Sequence, residues 1–79
     1  MGGTYYTKPM IKLTSISQDH KGQRVETEEY VNPIHIKSFL AKFDTNYLMN
    51  ITIIYWAIGG FTPMYVKETP EQIVKLIEQ

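Results

Sequence analysis

The sequence predicts an α+β, mainly β fold: a twisted antiparallel sheet of four or five strands, or a partly open small barrel, with one C-terminal helix. Three observations carry that reading. Short segments alternate apolar and polar residues with the period of two that a half-buried strand requires. Gly59-Gly60 stands between two such segments, where the positive φ of a tight hairpin turn favours glycine. Thr69-Pro70-Glu71-Gln72 carries helix-start signals just ahead of an apolar stripe.

Taken in order, Met1 to Pro9 reads as an N-terminal arm, with two glycines, Tyr5 and Tyr6 ahead of the proline, and it is expected to be disordered. The single domain then runs over 10–79. Met10 to Ile16 is the first strand, with Ile11 and Leu13 on one side and Lys12 and Thr14 on the other. Gln18 to Gln23 is polar, contains a glycine and turns the chain. Arg24 to Val31 alternates again, and its glutamates suit an edge or solvent-facing strand that must resist stray pairing.

Asn32-Pro33 breaks the ladder, because proline has no N–H to donate. A tight turn over Pro33, Ile34 and His35 leads into a strand from Ile36 to Phe43; a helix from Pro33 to Lys42 is the competing reading. Asp44-Thr45-Asn46 turns the chain into a strand from Tyr47 to Ile58, and Phe61 to Glu68 is its antiparallel return. In the last element Thr69 is the N-cap, Pro70 suits the first helical position and Gln72 completes a capping box. Ile73, Val74, Leu76 and Ile77 form its apolar stripe. So short a helix does not persist alone and has to dock on the sheet.

The strand containing Ile51 to Ile58 poses the architectural problem. Ile51, Ile53, Tyr55 and Ala57 fall on one face, and Ile54, Trp56 and Ile58 on the other with Thr52 alone polar. Both faces need cover, and the one short helix can cover only part of one. The second cover has to be the sheet curling on itself, the N-terminal arm, or another copy of the chain.

A chain of 79 residues buries about 60–65% of the surface it exposes when unfolded. Such cores are worth only about 3–5 kcal/mol net, so small domains lean on disulfides, metals or association. With no cysteine, disulfides and thiolate metal sites are excluded. Association is left as the expected support, and a homo-oligomer follows, with the open face of the Tyr47–Ile58 strand and its hairpin as the subunit contact.

Eight basic and eight acidic residues cancel and are interspersed, so the one-signed stripe of a nucleic-acid or membrane-surface binder is missing. No apolar run approaches the roughly 20 residues that span a bilayer, and no signal peptide is visible. A cytoplasmic location is the expectation.

Candidate chemistry is sparse, and no catalytic, metal or cofactor-binding residue is assigned. His20 lies in a hairpin loop and His35 beside the proline turn, neither with a second histidine or carboxylate at ligand spacing. Ser15, Ser17 and Ser38 lack the elbow of a hydrolase nucleophile. Asp19 and Asp44 sit in turns, where aspartate is common for backbone reasons. The aromatic residues carry more. Tyr47, Tyr55, Trp56, Phe61 and Tyr65, with Ile58, gather around one hairpin, and tyrosine and tryptophan are favoured at interfaces because each joins apolar area to a polar tip. These six residues are the candidate binding surface.

Met10-Ile11-Lys12-Leu13-Thr14, Val31-Asn32-Pro33 and Val66-Lys67-Glu68-Thr69-Pro70-Glu71-Gln72-Ile73 together resemble the small flagellar and swarming-motility family FlbD/SwrD, with Gly60 at the glycine of its last hairpin. The resemblance begins at Met10, and its motifs mark a strand start, a turn and a helix cap. It implies a motility-support role without catalysis. The arm before Met10, a longer first hairpin and Ile54-Tyr55-Trp56-Ala57-Ile58 depart from the family pattern. The functional expectation is a non-enzymatic, homo-oligomeric binding or adaptor protein using its aromatic hairpin. The alternative is a phage-type inhibitor or sponge holding a small ligand, such as a nucleotide, or a host protein between subunits.

Overall fold

The computed structural model describes residues 10–79, so the arm expected over 1–9 lies outside the described residues. The domain comprises β1 (Ile11–Gln18), β2 (Arg24–Val31), a 3-10 turn (Pro33–His35), β3 (Ile36–Asp44), β4 (Met49–Trp56), β5 (Met64–Val66) and α1 (Pro70–Glu78). Among the described residues the strands form one antiparallel sheet in the order β2-β1-β5-β4-β3, open at both edges and not closed into a barrel. Two long hairpins, β1–β2 and β3–β4, are thus joined through a three-residue strand that pairs with both.

Local chemistry sets the turns. In the first hairpin the Asp19 carboxylate accepts from the Lys21 and Gln23 N–H groups, each at 2.9 Å, and Gly22 takes φ 79°. That closure lets β1 run on to Gln18, two residues beyond the expected end. Between β2 and β3, Asn32 Oδ1 accepts from the Ile34 N–H, and the turn stops after one cycle, so the segment to Asp44 is strand and not helix. Asp44 Oδ1 accepts from the Asn46 and Tyr47 N–H groups. Tyr47 and Leu48 are therefore consumed by a turn, and β4 begins at Met49, not Tyr47.

The return after β4 corrects the sequence reading most. No tight Gly59-Gly60 hairpin forms; seven residues, 57–63, separate Trp56 from Met64, and β5 is three residues long. Pro63 would stand opposite Tyr55 if the ladder continued, and its ring holds φ near about −65°, away from the extended values of a strand. The Ala57 N–H instead donates to the His35 carbonyl at 2.7 Å, holding the end of β4 against the turn before β3. Only Gly60 of the pair takes a positive φ, 89°.

The two faces of β4 acquire different covers. On one, Ile54 packs with Ile11, Leu13, Val66 and Ile73 of α1, flanked by Val31, Ile36, Phe39, Trp56, Met64 and Leu76. The capping box is formed as expected, with the Thr69 and Gln72 side chains exchanging bonds with each other's N–H. The apolar stripe is narrower than expected: Ile73 is fully buried and Leu76 half-buried, while Val74 and Ile77 stay exposed.

On the other face Ile51 and Ile53 are buried with Ile16, and Tyr47, Met49 and Tyr55 pack around them. The chain itself provides this cover. Arg24, at the outer end of the β1–β2 hairpin, donates to the Met49 sulfur at 3.0 Å, although β1 and β5 lie between their strands. Glu26 of β2 likewise pairs with Lys67 just beyond β5, at 3.4 Å. Such reach requires the sheet to curl, bringing Ile16 over the second face. Each isoleucine so buried contributes about 1.5–3 kcal/mol relative to exposure. Of the three covers the sequence left open, self-curling is the one seen, and β4 no longer needs a second copy to shelter it.

Where β5 ends, Glu68 fastens the parts together. Its carboxylate accepts from the Thr14 N–H at 2.8 Å and the Thr14 hydroxyl at 2.9 Å. The buried Thr52 hydroxyl donates to the Glu68 carbonyl at 2.6 Å. One residue therefore links β1, β4 and the entry to α1.

Candidate binding surface

The proline turn and the long connection after β4 converge because Trp56 pairs with Ile36, the first residue of β3. The His35 N–H donates to the Asn32 carbonyl at 3.1 Å, and the bond from Ala57 to His35 ties the two segments. The Trp56 indole N–H donates to the Thr62 carbonyl at 3.0 Å, which ties the connection to the ring. Between them lies a hollow of about 230 Å³ lined by Val31, Asn32, His35, Trp56, Ile58 and Phe61.

Its walls are almost wholly apolar, and two of the polar groups beside them are already committed. Asn32 Oδ1 serves the Ile34 N–H, and the indole N–H serves Thr62. A cavity of about 150 Å³ holds a benzene ring, and drug-sized ligands occupy about 300–1,000 Å³. The hollow therefore suits one aromatic or branched aliphatic side chain. No lysine or arginine lines it, so it offers no charge to a phosphate. His35 is its single titratable group, without a nucleophile or carboxylate beside it.

Three of the six expected residues, Trp56, Ile58 and Phe61, meet here; Ile58 is 45% and Phe61 66% exposed. The other three are turned to the opposite face. Tyr47 and Tyr55 pack half-buried against Ile51 and Ile53, and Tyr65, 42% exposed, projects on their side of the sheet. Strand alternation separates what sequence proximity had grouped. Val31, Asn32 and His35 come from the other hairpin; the Val31-Asn32-Pro33 turn was visible in the sequence, but not its position beside Trp56.

A shallower concavity beyond β5 is lined by Lys12, Lys67, Lys75 and Glu68 among others. Lys12 pairs with Glu28 at 3.5 Å and Lys67 with Glu26, so two of its three cations already have partners. Among the described residues, no group of three or more His, Cys, Asp or Glu could hold a metal ion, and no helix is long and apolar enough to cross a membrane. No family model, curated protein or solved structure matches the chain. The resemblance to FlbD/SwrD thus rests on its three short motifs alone.

Proposed function

We propose that this protein is a non-enzymatic binding module that recognises a protein partner by taking one aromatic or branched apolar side chain into the hollow beside Trp56. The observation that carries the reading is the almost wholly apolar wall of the hollow, built from Val31, Trp56, Ile58 and Phe61. Such a site gains by excluding water from apolar surface and has little to offer a polar ligand. Aromatic residues that combine rigidity with large area are the usual anchors of protein recognition. Among the lining residues His35 is the one titratable group and no nucleophile or carboxylate stands with it, which supports binding over catalysis.

Selection of a random peptide library on the immobilised protein tests this. Enriched peptides are expected to share a Trp, Phe or Leu anchor, to perturb Trp56 fluorescence, and to lose at least about tenfold in affinity on Phe61→Asp, roughly 1.4 kcal/mol. Phe61 is largely exposed, so the variant keeps the wild-type unfolding midpoint. Peptides indifferent to Phe61→Asp and Ile58→Asp would place recognition elsewhere. A small molecule co-purifying in native mass spectra would favour the ligand-sequestering alternative.

A further inference from the structure

The sheet has two edges of opposite character, β2 and β3. Backbone groups along a strand point alternately to its two neighbours. The Lys67 N–H donates to Thr14 of β1, so the N–H and C=O of Val66 face β4 and its partner Thr52. Ile53 then faces β3 and Leu40. By the same alternation, the N–H and C=O groups of Phe39, Ala41 and Phe43 point outward, and among the described residues no strand lies beyond them.

The edges differ in chemistry. β2 carries Glu26, Glu28 and Glu29, so two copies of it would oppose like charges. β3 carries no acidic residue between Ile36 and Phe43, and its two lysines, Lys37 and Lys42, leave Phe39, Ala41 and Phe43 uncharged on the face shared with α1. Phe39-Leu40-Ala41-Lys42-Phe43 is symmetric in kind about Ala41 on the face it shares with α1: a ring, a methyl, a ring. Phe43 is 54% and Leu40 46% exposed, and α1, packed against β3, leaves Val74 and Ile77 open on that face.

We infer that the protein forms a two-fold dimer by antiparallel pairing of β3 with β3 of a second copy, centred on Ala41. A two-fold contact must be self-complementary, and this register is. Ala41 meets its own counterpart as a hydrogen-bonded pair. Phe39 meets Phe43 of the other copy twice, joining four rings on one face. On the other face Leu40 lies opposite Lys42, so the lysines do not stand directly opposed. The outward N–H and C=O groups of three residues on each copy exchange hydrogen bonds. The dimer is a continuous ten-stranded sheet with both helices on one side. The hollows beside Trp56 lie on that same side, near opposite ends of the paired strands, roughly 30 Å apart along them. This contact depends on the edge of the sheet and not on what the hollow binds.

Light scattering on the full chain tests it, with the fold followed by circular dichroism. The wild type is expected to have twice the mass of one 9.2 kDa chain. Ala41→Lys and Ala41→Glu, each folded, are expected to be monomers because like charges meet at the axis, and an equimolar mixture of the two to recover the doubled mass. Ala41→Pro, which removes only an outward-facing N–H, is a second monomerising change. A monomeric wild type at millimolar concentration overturns the inference, whether its Phe39, Ala41 and Phe43 amides exchange freely or are shielded by residues 1–9. A dimer that survives Ala41→Lys overturns it, as does an open-ended series of oligomers, which would mean that β2 and β3 edges join head to tail.

Discussion

Glu68 is where a single side chain is expected to matter most for stability. β5 is too short to bridge β1 and β4 along their whole length, and below its last residue the Glu68 carboxylate takes over the role of a strand, holding Thr14 through its N–H and hydroxyl at 2.8 and 2.9 Å. Hydrogen bonds to a charged acceptor contribute about 1.5–3 kcal/mol each. Both are only partly buried, so we take the lower end and assign about 2–3 kcal/mol to the pair. Glu68→Ala removes both and leaves the Thr14 N–H without its acceptor. In a domain worth about 3–5 kcal/mol in total, that is about half or more. At about 4–8 °C per kcal/mol for a chain of this size, the midpoint should fall by about 10–20 °C. Glu68→Gln separates the charge from the hydrogen bonds. Its carbonyl can still accept from the Thr14 N–H, and the Thr14 hydroxyl can rotate to accept from the new amide. The glutamine variant should therefore lose about 1 kcal/mol or less. Urea unfolding followed by Trp56 fluorescence, at unchanged slope, measures both. If Glu68→Ala unfolds within about 0.5 kcal/mol of wild type, or if Glu68→Gln is as damaging as alanine, the carboxylate is not the fastening described.

Two further changes probe the frame. Ile16→Ala should cost about 2–4 kcal/mol, because Ile16 is what the curled hairpin lays over Ile51 and Ile53; Val25→Ala, on the same hairpin but exposed, should stay within about 0.5 kcal/mol, and equal losses in urea would argue against the curl. Leu48 holds φ 54°, in the left-handed region that a branched side chain resists, and it is exposed. Leu48→Asn should accordingly raise stability by about 0.5–1 kcal/mol, and a lowered urea midpoint would show that Leu48 makes a contact worth more than its strain.

Much of the frame could be read from residue order because its signals are local. Asp19 with Gly22, Asn32 with Pro33, Asp44 with Asn46, and Thr69 with Gln72 each satisfy backbone groups within four residues, and each turn or cap stands where its residues placed it. The division of β4 into Ile51, Ile53 and Tyr55 against Ile54 and Trp56 is also local, since alternation alone decides it. The end of that strand was harder. Gly59-Gly60 carries a strong turn signal, but whether the ladder reaches it depends on the partner, and the partner at that point is Pro63.

What residue order alone determined is therefore the inventory: strands, turns, a capped helix, and a central ribbon apolar on both sides. What only the tertiary structure decided is who covers that ribbon and which aromatic groups share a site. Both depend on β5 lying between β1 and β4, a pairing across more than 45 residues of chain for β1 and on a curl that no single strand encodes. Local hydrogen bonds close within a turn and leave their mark in neighbouring residues. The packing of Ile16 on Ile51, or of Trp56 beside His35, is the joint outcome of every strand's position in the sheet.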